Sequence, residues 1–297
     1  MPIRFVFISD SHYHPAAPRD FGAPKLLTRG REVLEATVPA VNALQPDFIV
    51  HGGDLLCGGG SFEIPLDQYL ESVDTVAAAY EAFDAPLHIV PGNHDCEAAE
   101  RSFTAFAERF TIPSVLEVVE PAPGLRLALA NVYHANSNNG SGIWSPELDQ
   151  ALRRAAAEAL RDRVPLLLVL HPWILPNQTD QGGLVTGHER VLQTVSDCAA
   201  VAAVLTGHRH INRIRLWRDF LVVDTACLIG YPVGFRELIL HEDGMLRSRF
   251  HQLDLPDFIQ ASRDRVTPEA CDRYQGEIGD RDCDVLLPRV RELRRPG

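Results

Sequence analysis

The residues best suited to chemistry fall into five short clusters: Asp10-Ser11-His12, Gly52-Gly53-Asp54, Gly92-Asn93-His94-Asp95, His171 and Gly207-His208-Arg209-His210. Each follows a short apolar run: Ile3–Ser9, Phe48–Val50, Leu87–Val90, Leu166–Leu170 and Val201–Thr206. If these runs are strands of an α/β sheet, all five clusters lie just past carboxyl ends, where such sheets place their sites. Alternate residues of an extended segment share a side. The spacing therefore predicts that Asp10 and His12 face one point, as do His208 and His210, while Arg209 points the other way, toward solvent.

Imidazole with carboxylate suits borderline divalent ions such as Mn, Fe, Zn, Ni or Co, whereas all-oxygen sites suit Mg or Ca. Two Asp, one Asn and four His are too many ligands for one ion and suit two that share a bridging carboxylate. Two divalent ions against two carboxylates leave two positive charges, which a phosphodiester anion and a bridging hydroxide would neutralise. Such a pair, roughly 3.5–4 Å apart, can acidify a water and clamp phosphoryl oxygens during in-line attack.

Taken in order, the five motifs resemble the calcineurin-like metallophosphoesterase family, from residue 3 to about residue 250. The resemblance implies an α/β fold, a four-layer α-β-β-α sandwich of two mixed sheets. It implies that Asp10, His12 and His210 hold one metal, that Asn93, His171 and His208 hold the other, and that Asp54 bridges them. His94 would face the leaving group, as proton donor or as a positive hydrogen-bond partner for phosphate, with Asp95 orienting it. The cofactors implied are two divalent or mixed-valence ions, manganese, iron or zinc before nickel or cobalt. One departure stands out. The fourth motif of the family usually reads His-x-Pro but here reads His171-Pro172-Trp173, so the loop after the ligand is expected to run differently.

Several branches fit poorly. The family's protein phosphatases carry Asp-Arg-Gly soon after the bridging Asp and end the third motif in Glu; here Leu55-Leu56-Cys57-Gly58 follows Asp54, and the motif ends in Asp95. Purple acid phosphatases place a Tyr where Cys57 stands. What remains resembles the small bacterial group of class III cyclic nucleotide phosphodiesterases, glycerophosphodiesterases and ADP-ribose/CDP-alcohol diphosphatases. The expected reaction is hydrolysis of a small-molecule phosphodiester, a nucleotide or cyclic nucleotide, by a metal-bridging hydroxide. A phosphomonoesterase or nucleotide diphosphatase on the same site is the alternative, and a non-catalytic metal-binding scaffold is a remote one. No substrate-binding residue is assigned. Tyr13, Phe62, Trp144 and Trp173 lie on loops and either stack on a base or simply cover apolar surface; His14 and His134 lie near the expected site.

The elements that must position these residues alternate along most of the chain. Helical patterns cover Leu26–Leu44, Leu66–Phe83, Glu97–Phe110, Pro146–Arg163 and Gly187–Asp197, and Leu125–Val132 reads as a further strand. From Ile211 four short strands (Ile211–Trp217, Phe220–Asp224, Phe235–His241, Met245–Phe250) read as a β-meander supplying a second sheet. Residues 1–252 are thus expected to form the catalytic domain. Residues 253–297 read as a tail of short helices that packs on the core or joins a second copy of the chain.

Forty acidic residues against 28 basic ones give a net charge of −12 over 297 residues, which argues against nucleic acid polymers and anionic membranes as partners. No apolar run approaches the ~18 residues of a membrane span. With no signal-like segment before the first strand, the expected location is the cytoplasm. Six scattered cysteines lack ligand-like spacing, so a disulfide framework is not expected. Lys25 is the only lysine; the Arg bias reads as a base-composition habit.

Overall fold

The computed structural model describes residues 1–22, 24–58, 64–97, 102–134, 140–177 and 182–295. Strand β1 (Ile3–Ile8) shows how its layers arise. Ile3, Phe5 and Phe7 point to one face and Val6 and Ile8 to the other, and all five are buried. A strand buried on both faces needs a continuous apolar run, not an alternating one. A parallel neighbour of the same kind, β2 (Phe48–His51), and a half-buried parallel edge strand, β3 (Leu87–Ile89), are reached through α1 (Gly30–Asn42) and α2 (Leu66–Tyr80).

Past α3 (Thr104–Phe110) the chain builds a second sheet from β4 (Leu116–Ala122), β5 (Leu125–Ala130), α4 (Pro146–Asp162), β6 (Leu166–Val169), α5 (His188–Asp197) and β7 (Val201–Thr206). The hairpin β8 (Arg213–Trp217) and β9 (Phe220–Asp224) completes it, in the order β4-β5-β6-β7-β9-β8. The chain then returns to the first sheet with β10 (Gly234–Leu240) and β11 (Met245–Gln252). Helices α6 (Pro256–Arg263), α7 (Pro268–Gln275) and α8 (Ile278–Arg281) follow, then β12 (Cys283–Leu286) and α9 (Pro288–Arg294). The first sheet is ordered β12-β11-β10-β1-β2-β3.

Phe5, Phe7, Phe48 and Val50 of the first sheet meet Leu127, Leu129, Leu167, Val169 and Val223 of the second in one apolar layer. The outer face of the first sheet packs on α1, α2 and α6, and that of the second on α4 and α5. This is the four-layer sandwich of two mixed sheets. No helix among the described residues is long and apolar enough to cross a membrane.

The four strands after Ile211 do not form one meander. β8 and β9 join the second sheet, with β9 parallel to β7, while β10 and β11 join the first, with β10 antiparallel to β1. Sheets in a sandwich lie only about 10 Å apart, so the short link Thr225–Val233 can cross between them, and hairpin spacing does not reveal which sheet a hairpin joins. Strands β4 and β12 were not anticipated. Helix α3 begins only at Thr104, and residues 98–101 of the expected Glu97–Phe110 helix lie outside the described residues.

The C-terminal segment is fastened from within. The fully buried Arg236 of β10 donates to the carbonyls of Asp280 and Arg281, to Ser248 Oγ and to Asn212 Oδ1, at 2.8–3.0 Å. Arg289 of α9 donates to the carbonyls of Val195, Cys198 and Val201, at 2.6–2.9 Å.

Candidate dinuclear metal centre

The five strand ends do converge. Asp10 Oδ1 lies 3.1 Å from His210 Nε2 and 3.7 Å from His12 Nε2. Asp54 Oδ2 lies 3.1 Å from His171 Nε2 and 3.6 Å from His12 Nε2. Three ligand-like groups result among the described residues, Asp10 with His12 and His210, Asp54 with His171 and His208, and His12 with Cys57 and His94, each with donor atoms within 4.8 Å of one another. Asp54 reaches toward the first two.

The convergence arises differently from the expected extended alternation. Asp10, His12, Asp54, His208 and His210 all have left-handed φ, between 42° and 71°. Asp and His tolerate that region better than most residues, but each such residue costs about 1–3 kcal/mol and persists only where its surroundings hold it. Here β1 and β2 hold it through backbone bonds from Asp10 N to Gly53 O (3.0 Å) and from His12 N to Asp54 O (2.9 Å). The same turning carries Arg209 to the wall of the cleft rather than away from it. Gly53 at φ +95° turns Asp54 inward, and a β-carbon at Gly92 would strike the Asp54 backbone and carboxylate. The two glycines thus let the second and third motifs approach.

The arrangement suits cations. His12 Nε2 and His210 Nε2 are 3.1 Å apart, as are His171 Nε2 and His208 Nδ1 at 3.2 Å. Facing ring nitrogens must share a proton or a positive ion. Asn93 Oδ1 is buried with no hydrogen-bond partner among the described residues, a costly state that a cation would relieve. His171 is held by its other nitrogen, 2.7 Å from Gly52 O, which aims Nε2 at the centre. His51, expected beneath the centre, accepts from Gly53 N (3.1 Å) and lies 3.3 Å from Ser11 Oγ; burial pulls its pKa down to about 3.

Charges follow the same geometry. Burial would lower His171, but the carboxylates of Asp54 and Asp10 outweigh it and push its pKa up to about 9. Burial and the neighbouring His171 charge take His208 down to about 3. Burial opposes ionisation of Asp54, yet His171, His94 and His12 hold its pKa well below the carboxylate range.

His94 donates its backbone N–H to Asp54 Oδ1 (2.7 Å), and its ring Nδ1 lies 3.1 Å from Gly58 O. Burial lowers its pKa, against the pull of Asp54. Asp95, expected to orient His94, does something else. Its carboxylate accepts from the backbone N–H groups of Gly92, Asp54 and Leu56 (2.7, 2.8 and 2.9 Å), none of them on the His94 ring. Three converging N–H donors make it the clasp joining the second and third motifs.

Tyr13, Trp144 and Trp173 are at most 3% exposed and are core residues, not base-stacking ones. Phe62 lies outside the described residues, as do parts of the loops Gly58–Pro65, His134–Trp144 and Trp173–Gly187. Trp173 sits under the Arg213 guanidinium (4.1 Å) and bridges to Leu184, which sets the course of the loop after the displaced proline. His134 is engaged by Asn131 O and by Ser145, the N-cap of α4. The sequence reading missed Lys25, Arg273 and Tyr274, which line the cleft before the centre. Only Lys25 left a trace, as the single lysine of the chain.

A mixed-sheet sandwich with Asp, His and Asn donors at five strand ends defines a metal-dependent phosphoesterase. Residues 3–212 match the calcineurin-like phosphoesterase family, and the chain belongs to that family. It is similar to a probable glycerophosphodiester phosphodiesterase of Arcobacter nitrofigilis, 25% identical over 189 residues; the match spans 61% of this chain and 63% of that relative's length. It is also similar to a 3',5'-cyclic adenosine monophosphate phosphodiesterase of Haemophilus influenzae, 24% identical over 236 residues, covering 72% of this chain and 77% of the relative. Among solved structures, a dimetal phosphatase from Danio rerio superimposes with a TM-score of 0.72 at 16% identity, covering 96% of this chain and 99% of that one. That likeness shows the fold.

Proposed function

We propose that this protein hydrolyses a small-molecule phosphodiester, a nucleotide or cyclic nucleotide, at a dinuclear metal centre. The observation that carries the proposal is the pair of donor groups, with Asp54 Oδ2 of one lying 3.6 Å from His12 Nε2 of the other, beside a cleft of about 260 Å³ that His12, Asp54, His94, His208 and His210 line; the orphaned Asn93 oxygen supports it. Asp10, His12 and His210 would hold one ion and Asn93, His171 and His208 the other, with Asp54 between them; manganese, iron or zinc suits these donors. When bound, the ions supply charge neutralisation at the phosphoryl oxygens and acidify a water.

The chain's own residues do the rest. Gly52 O fixes the His171 tautomer, and Asp95 clasps the Asp54 and Gly92 loops so that the donors stay in register. His94 faces the cleft at the leaving-group side, its Nδ1 anchored on Gly58 O so that Nε2 is the atom that meets substrate. A bound phosphodiester anion favours the imidazolium form, which lets Nε2 hold a proton for the departing oxygen.

Residues 1–252 form the catalytic unit in this reading, in a cytoplasmic setting. Residues 256–294 build α6 to α9 and β12, of which β12 joins the first sheet and α9 packs on the second, and the segment is offered as the part that would join a second copy. Metal-stripped protein given Mn²⁺ is expected to release p-nitrophenol from bis(p-nitrophenyl) phosphate. Metal uptake without release would return the chain to a binding scaffold.

A further inference from the structure

Of the three donor groups, one contains no carboxylate. His12, Cys57 and His94 bring two imidazoles and a thiol within 4.8 Å of one another, whereas each of the other two groups is built on an aspartate. Cys57 and His12 are buried, and His94 opens on the cleft. The proposed reaction uses His12 and His94 but gives Cys57 no task.

The backbone sets Cys57 between the two histidines. On one side Cys57 N donates to Tyr13 O (3.3 Å) and Tyr13 N to Leu55 O (2.8 Å), which ties the segment to the first motif directly after His12. On the other side Gly58 N donates to His94 O (2.7 Å), and His94 Nδ1 lies 3.1 Å from Gly58 O. Glycine permits that approach, since a β-carbon at Gly58 would strike Cys96 O. The His12 and His94 rings meet edge-on, with centroids 4.9 Å apart.

His12 belongs to two of the groups. Its Nε2 lies 3.7 Å from Asp10 Oδ1 and 3.6 Å from Asp54 Oδ2, while its Nδ1 is buried with no hydrogen-bond partner among the described residues. A buried ring nitrogen left so is costly. That observation is independent of the thiol, and both lie at the same place.

A zinc ion holds sulfur at about 2.3 Å and imidazole nitrogen at about 2.0–2.1 Å, which sets its donor atoms about 3.4–3.6 Å apart in tetrahedral geometry. Side-chain movements of about 1 Å bring the group to that spacing. Thiolate and imidazole are also the donors that favour thiophilic ions, whereas manganese and magnesium suit oxygen. The thiolate would offset one charge of an ion set beside two others.

We propose that His12, Cys57 and His94 form a third cation position, which takes Zn²⁺ or a like thiophilic ion and switches hydrolysis off. As the ion binds, the Cys57 thiol releases its proton to solvent and forms the metal–sulfur bond. His94 Nε2 gives the ion the lone pair on which it would otherwise carry a proton to the leaving group. Substrate then meets a centre with its two catalytic ions in place and no proton donor. The position goes beyond the phosphodiesterase reading, and only its effect on rate rests on that reading.

The test loads the full chain with Mn²⁺ and titrates it with Cd²⁺, whose bond to a thiolate absorbs in the ultraviolet, and separately with Zn²⁺. A third ion is expected to bind, with a sulfur-to-cadmium absorption band and with both manganese ions retained. Zn²⁺ is expected to slow release of p-nitrophenol from bis(p-nitrophenyl) phosphate at least about threefold, a modest loss because nitrophenolate leaves with little help. Cys57→Ser is expected to keep two manganese ions and a rate within about threefold of wild type, to lose the band, and to need at least about tenfold more Zn²⁺ for the same inhibition. Should that variant fail to fold, His94→Ala decides: it is expected to keep two manganese ions and bind the third ion at least about tenfold more weakly.

Cadmium that displaces manganese, leaving two ions per chain, overturns the third position, as does equal inhibition of Cys57→Ser and the wild type. A third ion that leaves the rate unchanged overturns the switch. A third ion with its sulfur band in a protein that hydrolyses nothing overturns the catalytic reading and leaves the position standing. Hydrolysis untouched by Zn²⁺, with no band, overturns the position alone.

Discussion

The two walls of the cleft are built on opposite principles. One is made of strand ends: Asp10, His12, Asp54, Asn93, His171, His208 and His210 each follow a buried strand by a few residues. The other is made of a loop and a late helix, with Lys25 and Arg273 drawn from opposite ends of the chain. The first wall rests on strands hydrogen-bonded to their neighbours, most of them buried on both faces. The second depends on tertiary ties such as Ser262 to Pro24 O and Arg236 to the carbonyls of Asp280 and Arg281. The contrast separates a wall that near neighbours in sequence build from one that only long-range packing assembles.

The sharpest way to break the comparison is Asp54→Ala. If Asp54 serves both donor groups, the variant is expected to lose both metals, and with them at least about 10⁴-fold of the activity. Metal analysis checks this, and two tightly bound ions in the variant would refute the shared role. Next comes His94→Ala, expected to cost about 10²–10⁴ in rate with a poor leaving group and less with nitrophenolate, as for a proton donor. Equal losses on the two substrates would leave His94 only an electrostatic part.

A smaller effect concerns protons. In the metal-free protein His171 titrates near 9, so below that pH it carries a proton that an incoming cation must displace. Burial would lower His210 too, but Cys227 and Asp10 push it up to about 10, so it must lose a proton as well. Metal affinity is therefore expected to rise with pH, by up to about tenfold per unit for each displaced proton, and to level off only above about 10. Because the His171 pKa is raised above its ordinary ~6.5, its contribution to metal-free stability is complete below that value and disappears as pH climbs through about 9. Calorimetric titrations and thermal melts across pH 6–9 read both; a flat affinity would show that His171 is not protonated in the metal-free centre.

Much of the first wall was legible because local sequence determines it. A strand buried on both faces is an apolar run, and a polar cluster right after it lies at the sheet edge whatever the rest of the fold does. What failed was the backbone argument, since left-handed turns at Asp10, His12, His208 and His210 replace extended alternation and bring Arg209 into the cleft. Asp95 failed for a related reason: adjacency to His94 in sequence said nothing of which N–H groups its carboxylate would meet.

By itself, then, the order of residues determined the candidate donors and the layered strands beneath them, since both depend on side-chain type and near neighbours. Only the tertiary structure decided which sheet each late hairpin joins, that Asp54 lies near both His12 and His171, and that Lys25 and Arg273 share one cleft. Those relations are set by packing between segments far apart in the chain, and no local pattern records them.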